Sequence, residues 1–241
     1  MNLVKAYKNP DFLMSEEARG VRILCEYLEP KRRFEMEGVR NAIIFFGSAR
    51  LRRVDPADGG EGPDYYDLAT QLTERLARWT VTTHADGGRY HIVSGGGPGI
   101  MEAVHEGAAR VDRRLNIGLN ISLPFEQNVN PHVEPSRALE FHYFFMRKFW
   151  FMNLAHAAVI FPGGLGTLDE LFEVLTLTQT GKSRGIPTVL FGGEFWREAV
   201  NFDLLLRRRL ISPDDMNLFL IADDVETAFS YLTGKLRADS Q

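Results

Sequence analysis

Continuous apolar runs alternate along this chain with segments whose apolar positions recur every three or four residues. Ala42-Ile43-Ile44-Phe45-Phe46 is the first such run, and residues 91–94, 117–121, 141–145, 157–160, 186–191 and 218–221 repeat the pattern. Runs that are apolar throughout, rather than at every second position, belong to strands covered on both faces. Between them, Tyr65, Leu68, Ala69, Leu72, Leu76 and Trp79 keep helical spacing. So do Leu168, Leu171, Phe172 and Leu175. Further helices are expected from about Ile100 and over residues 146–156, 195–210 and 225–236. Near the start, Val21, Leu24, Cys25 and Leu28 outline a helix over residues 15–38 that Pro30 should break or bend. Strand and helix alternating in this way predict an α/β, Rossmann-like doubly wound parallel sheet with helices on both faces. The expected organisation is an N-terminal helical segment (1–39) packed on one nucleotide-binding domain (40–241).

In such a sheet ligands bind beyond the carboxyl ends of the strands, where this chain concentrates glycine. Phe161-Pro162-Gly163-Gly164-Leu165-Gly166-Thr167-Leu168-Asp169-Glu170 joins a strand to a helix. Glycines there let the backbone approach a ligand, and the N–H groups of the helix start converge on an anion. Thr167 and Glu170 also read as a capping box, which would need no ligand. Three glycines before Thr167 exceed what a cap requires. A second turn, Gly95-Gly96-Gly97-Pro98-Gly99, and the Gly47-Ser48 pair after the first strand fall on the same edge. The second turn is not a dinucleotide fingerprint. About twenty positions on, where an acidic residue should meet the ribose, the chain has Leu115 to Asn120.

Composition narrows the partners. With 28 basic and 32 acidic residues the net charge is −4, which gives no general attraction to nucleic acid or anionic membrane. Cys25 is the single cysteine, so an intrachain disulfide and a cysteine-based metal site are both excluded. No apolar run approaches a membrane span and the first residues lack a signal-peptide core, so a cytoplasmic protein is expected.

Three motifs now carry a resemblance. Pro162-Gly163-Gly164-x-Gly166-Thr167-x-x-Glu170 matches the P-G-G-x-G-T-x-x-E signature of the Lonely Guy family, once labelled "lysine decarboxylase-like". Arg147-Lys148 stands at the place of that family's Arg-Lys pair, and residues 94–103 look like its other glycine signature. The N-terminal segment and residues 118–127 resemble the longer bacterial branch. The resemblance implies a nucleoside 5′-monophosphate phosphoribohydrolase that cuts the N-glycosidic bond of AMP or a cytokinin ribotide, giving free base and ribose 5-phosphate. It implies Arg147 and Glu170 as catalytic residues. Phosphate and nucleotide contacts would come from Gly47, Ser48, Gly96, Gly97, Gly163, Gly164, Gly166, Thr167 and Lys148, with no cofactor and no metal. Phe144 departs from the Met usual in short members at a place that lines the base pocket. Molybdenum-cofactor carrier proteins resemble the family too, so a non-catalytic binding protein is the alternative reading.

The chemistry can be set against the residues. An oxocarbenium-like transition state calls for a negative group near the ribose. Placed in the first helical turn, Glu170 would be kept ionised by the dipole, as a base or stabiliser and not a proton donor. His105, His132, His142 and His156 are candidates for protonating the leaving base by residue type alone. Lysine decarboxylation would need a Schiff-base lysine for pyridoxal phosphate, and neither Lys148 nor Lys182 has that setting. Finally, residues 141–151 hold Phe141, Tyr143, Phe144, Phe145, Phe149, Trp150 and Phe151. That exceeds what one short element can bury, so a homo-oligomer built on dimers is expected.

Overall fold

The computed structural model describes residues 3–54, 62–122 and 128–238. Among these described residues seven strands form one sheet in the order β4-β3-β2-β1-β5-β6-β7: β1 (Asn41–Phe46), β2 (Tyr90–Ser94), β3 (Asn116–Ile121), β4 (Ala138–Phe141), β5 (Ala155–Ile160), β6 (Thr188–Phe191) and β7 (Phe219–Ala222). Every neighbouring pair is parallel. The helices are α1 (Pro10–Leu13), α2 (Arg19–Met36), α3 (Tyr65–Thr83), α4 (Ile100–Ala109), α5 (Phe144–Leu154), α6 (Leu165–Gln179), α7 (Gly193–Ala199), α8 (Phe202–Arg207) and α9 (Val225–Ala238).

Side chains alternate across the pleat, so each central strand feeds two cores. Ile43 and Phe45 of β1 pack with Leu72, Leu76, Val104 and Leu232, from α3, α4 and α9. Ile44 and Phe46 pack on the other face with Phe34, Trp150, Leu171 and Trp196, from α2, α5, α6 and α7. This is the doubly wound arrangement, and it explains why the strands read as unbroken apolar runs. At the edge of the sheet the pattern changes. In β4 Leu139 and Phe141 are buried while Glu140 is exposed.

Several elements differ from the sequence reading. The apolar run at 141–145 is not a strand: β4 ends at Phe141 and α5 starts at Phe144. A short apolar run carries no periodicity of its own, and here it is divided, Phe141 closing the strand and Phe144 and Phe145 opening the helix. The helix expected over 195–210 is two, because the Asn201 side chain accepts the Leu204 N–H at 2.8 Å and starts α8 afresh. Nor does Pro30 end α2, which runs through it. Proline has no N–H for the carbonyl one turn earlier, and at Glu26 that carbonyl accepts the Trp150 indole N–H at 2.9 Å instead. Residues 55–61 of the expected 51–63 loop, and 123–127 of the 118–127 stretch, lie outside the described residues. Among the described residues no helix is long and apolar enough to cross a membrane.

Candidate active site

The chain leaves β1 for β2 on one side and returns to β5 on the other. The ends of β1 and β5 therefore diverge, and a crevice opens where the strand order reverses. A cavity of about 680 Å³ occupies this place, lined by Phe46, Gly47, Ser48, Arg50, Gly95, Met101, Ile121, Phe144, Arg147, Phe151, Gly164, Leu165, Gly166, Thr167 and Glu170, among others.

Backbone bonds lock the three turns together. The Ser48 N–H donates to Pro162 O at 3.0 Å, and the Ile100 N–H donates to Ser48 O at 3.1 Å. Gly99, at φ +70°, lies so close to this crossing that a Cβ would sit 2.4 Å from Ser48 O. Packing also explains two other glycines. A Cβ on Gly47 would meet Ile100 at 2.7 Å, and one on Gly163 would meet Thr167 Oγ1 at 2.1 Å. Gly164 and Gly166 are different: a Cβ on either would meet nothing within 4 Å. Gly164 has an ordinary negative φ of −89°. Neither close packing nor positive φ accounts for this pair. Both line the cavity, and the space a Cβ would take is open.

α6 begins earlier than the capping-box reading requires. Its N-cap is Gly164, with no side-chain cap, and Thr167 is the third helical residue. Glu170 thus lies beyond the first turn, and no Thr167–Glu170 box forms. The Gly164 carbonyl accepts the N–H groups of Thr167 and Leu168, each at 3.0 Å. By helix geometry the N–H groups of Leu165 and Gly166 have no intrahelical acceptor, so they are available to an anion.

Facing this helix start are Arg147 of α5 and Glu170 of α6. Arg147 Nη2 and Glu170 Oε1 are 3.9 Å apart, a distance that leaves the pair in Coulomb range but not hydrogen-bonded. The two side chains are only 15% and 5% exposed. Glu170 Oε2 and Arg147 Nε are buried without a hydrogen-bond partner among the described residues. Arg147 lies over the rings of Phe144 at 5.3 Å and Phe151 at 5.9 Å, which hold its guanidinium over the cavity. Burial pushes the Glu170 carboxyl up to about 7, against the pull of Arg147 and Lys148. This corrects the expectation of a carboxylate held ionised by the helix dipole: desolvation outweighs the distant helix start. Burial likewise lowers Arg147, opposed by Glu170.

The other expected site residues separate into two groups. Gly47, Ser48, Gly164, Gly166 and Thr167 line the cavity with Arg147 and Glu170. Lys148 points away, its Nζ held by Asp169 and Glu173 at 2.8 Å each. Gly163 packs against Thr167 and the Ser48 backbone, and Gly96 and Gly97 do not line the cavity. The Asn130 side-chain amide bonds the carbonyls of Gly96 at 3.0 Å and Gly97 at 3.1 Å, and His105 Nδ1 at 3.1 Å. His105 is fully buried, with its Nε2 3.3 Å from Ser94 Oγ, and burial lowers its pKa to about 3. It is a neutral member of the scaffold. His132, His142 and His156 do not line the cavity either. Arg50, Gly95, Met101 and Ile121 line it without having been among the expected contacts, although Arg50 and Gly95 belong to the two turns expected on this edge. Arg50 was within reach of the sequence, being two residues beyond Ser48. Met101 and Ile121 carried no signal beyond hydrophobicity.

These lining residues can be tested against pyridoxal phosphate, which a lysine decarboxylase would use. Among the described residues no lysine lines the cavity, so the residues present there do not fit a cofactor held through a lysine Schiff base.

Fold and site together define an α/β protein whose helix start, uncapped by any side chain, stands beside a buried carboxylate and guanidinium at the switch point of a parallel sheet. The family described as "Possible lysine decarboxylase" matches residues 101–232, and the chain belongs to it. It is the family of the Lonely Guy proteins. LOG7 of Arabidopsis thaliana, a cytokinin riboside 5′-monophosphate phosphoribohydrolase, is 27% identical over 223 residues, 86% of this chain and 90% of the relative. LOG4 of Oryza sativa subsp. japonica, named as a probable enzyme of the same activity, is 26% identical over 201 residues, 81% of this chain and 77% of the relative. The X-ray structure of TM1055 superposes with a TM-score of 0.52 at 22% identity, covering 80% of this chain and 99% of that one, a likeness of fold.

Proposed function

We propose that this chain is a nucleoside 5′-monophosphate phosphoribohydrolase, an N-glycosyl hydrolase that releases a purine base and ribose 5-phosphate from AMP or an N6-modified cytokinin ribotide. The names of its relatives support the reaction class. The observation that carries the reading onto this chain is the orphaned pair, Glu170 Oε2 and Arg147 Nε, buried at one cavity with the glycine turn. Phosphate at the start of α6, against Leu165, Gly166 and the Ser48 loop, anchors the nucleotide. The purine lies toward Met101, Ile121, Phe144 and Phe151. Glu170 then faces C1′, stabilises the oxocarbenium-like transition state and takes a proton from the attacking water. Glu170 is the one carboxyl among the described lining residues, so the proton it takes from the water is the one it passes to the departing base. Arg147 supplies positive charge to the phosphate and holds Glu170 partly ionised.

The enzyme works as a homo-oligomer built on dimers. Of the seven aromatics in the 141–151 stretch, Phe141, Tyr143, Trp150 and Phe151 are buried, while Phe144, Phe145 and Phe149 remain exposed, Phe145 and Phe149 lining an apolar groove with Leu24 and Tyr27 of α2. The exposed free thiol of Cys25 fits a reducing, cytoplasmic setting. The test is direct: the pure protein is incubated with a panel of nucleoside monophosphates, N6-substituted ones included, and the products are separated. Free base and ribose 5-phosphate in equal amounts are expected. Release of base from none of them overturns the reading.

A further inference from the structure

The catalytic arginine proposed above sits in the first turn of α5, an awkward place for a cation. A helix start is electropositive, the first turn of α5 has no acidic residue, and its N-cap Tyr143 supplies no side-chain cap. The compensation comes from another helix. Glu26 of α2 accepts the His142 N–H through Oε1 at 2.8 Å and the Tyr143 N–H through Oε2 at 3.2 Å. The Tyr143 carbonyl in turn accepts the Arg147 N–H at 3.2 Å. Two hydrogen bonds therefore connect the Glu26 carboxylate to the Arg147 backbone.

The main chain of Glu26 grips the same helix farther along. Its carbonyl, released from intrahelical bonding by Pro30 one turn later, accepts the Trp150 indole N–H at 2.9 Å. Tyr27 stacks on the Trp150 ring at 5.7 Å, and Phe34 meets its edge at 5.2 Å. Arg19 lies over the Tyr143 ring at 5.7 Å. Three turns of α2 thus converge on both ends of the segment that presents Arg147.

We propose that Glu26 is a positioning residue for Arg147, and that α2 is a working part of the active site rather than a covering for the sheet. The inference rests on the phosphoribohydrolase reading for its kinetic test but not for its structural one. It explains why an interior proline is tolerated in α2: Pro30 frees the acceptor that Trp150 needs.

The experiment compares the parent chain with Glu26→Ala, Glu26→Gln, Arg147→Ala and the Glu26→Ala/Arg147→Ala double variant. Amide hydrogen exchange is followed across residues 143–148 and in the central strands. Glu26→Ala is expected to speed exchange at 143–148 by about tenfold or more, with β1 and β5 unchanged. Glu26→Gln, which keeps one acceptor oxygen, should recover part of that protection. With AMP, Glu26→Ala should lower kcat/KM by about tenfold or more, yet add nothing to the loss caused by Arg147→Ala, because the two act as a unit. Unchanged exchange at 143–148 in Glu26→Ala, or losses that simply add in the double variant, overturns the proposal. If the parent cleaves no nucleotide, the phosphoribohydrolase reading fails by itself, and the exchange data still decide the role of Glu26. Should Glu26→Ala not fold, Glu26→Gln against Trp150→Phe gives the same comparison in milder form.

Discussion

At Glu170 the protein holds a carboxyl where burial raises its pKa to about 7 and Arg147 pulls it down. The sign of the consequence follows from proton uptake. The folded chain keeps the Glu170 proton up to about pH 7, while the unfolded chain releases it near 4.5, so this residue's contribution to stability is largest below the lower value and is lost as pH rises to the upper one. Glutamine has no such proton to lose. Glu170→Gln should therefore melt close to the parent in acid and at or above it near pH 8, with thermal melts at both pH values as the check. Turnover should behave in the opposite sense. A reaction that needs the carboxylate slows in the parent as pH falls below about 7, and Glu170→Gln should lose roughly 10²-fold or more in kcat at any pH. A Gln variant that turns over normally would remove the central residue of the enzyme reading. Arg147→Ala should cripple turnover as well, with an added loss of nucleotide affinity measurable by calorimetry.

The turn into α6 separates structure from ligand binding one glycine at a time. Gly166 is the second residue of the helix and its Cβ position is open. Gly166→Ala should therefore leave the fold intact, or stabilise it by roughly 0.4–1 kcal/mol through the unfolded state. The added methyl stands where the phosphate must approach, so nucleotide binding should weaken markedly. Gly163→Ala should fail for a different reason. Its Cβ would lie 2.1 Å from Thr167 Oγ1 and 3.0 Å from the Ser48 nitrogen, an overpacking that costs roughly 1–3 kcal/mol. Melting curves and nucleotide titrations on the two variants check both halves. Equal binding by Gly166→Ala and the parent would move the phosphate away from this helix start.

For the whole molecule, the distance between anchor and chemistry matters. If phosphate binding orients the glycosidic bond, a nucleoside without phosphate loses the remote interaction that places C1′ against Glu170. Adenosine should then react with a far lower kcat/KM than AMP, and equal rates would contradict the anchoring role. Assembly is the second prediction at this scale. Phe145 at 50% and Phe149 at 42% exposure, beside Leu24 at 53%, form an apolar surface that a monomer would leave in water. Light scattering at micromolar protein should show dimers or assemblies of dimers. A monomer alone would refute it.

The order of apolar runs and amphipathic segments determined the class of fold, because strands covered on both faces must be apolar throughout and the helices that cover them must not. Glycine between strand and helix likewise marked the Gly47, Gly164 and Gly166 turns, since backbone geometry there is a local property. Local pattern was not enough at the edge of the sheet, where the apolar run at 141–145 divides between β4 and α5. Nor could it show that Pro30 leaves α2 whole, because the acceptor it frees finds its donor on Trp150, far along the chain. The tertiary structure alone decided which glycines pack and which face the cavity, that Lys148 turns to Asp169 and Glu173, and that Glu170 titrates near neutrality. Each of these depends on what surrounds a side chain, and burial and charge are set by neighbours that only folding brings together.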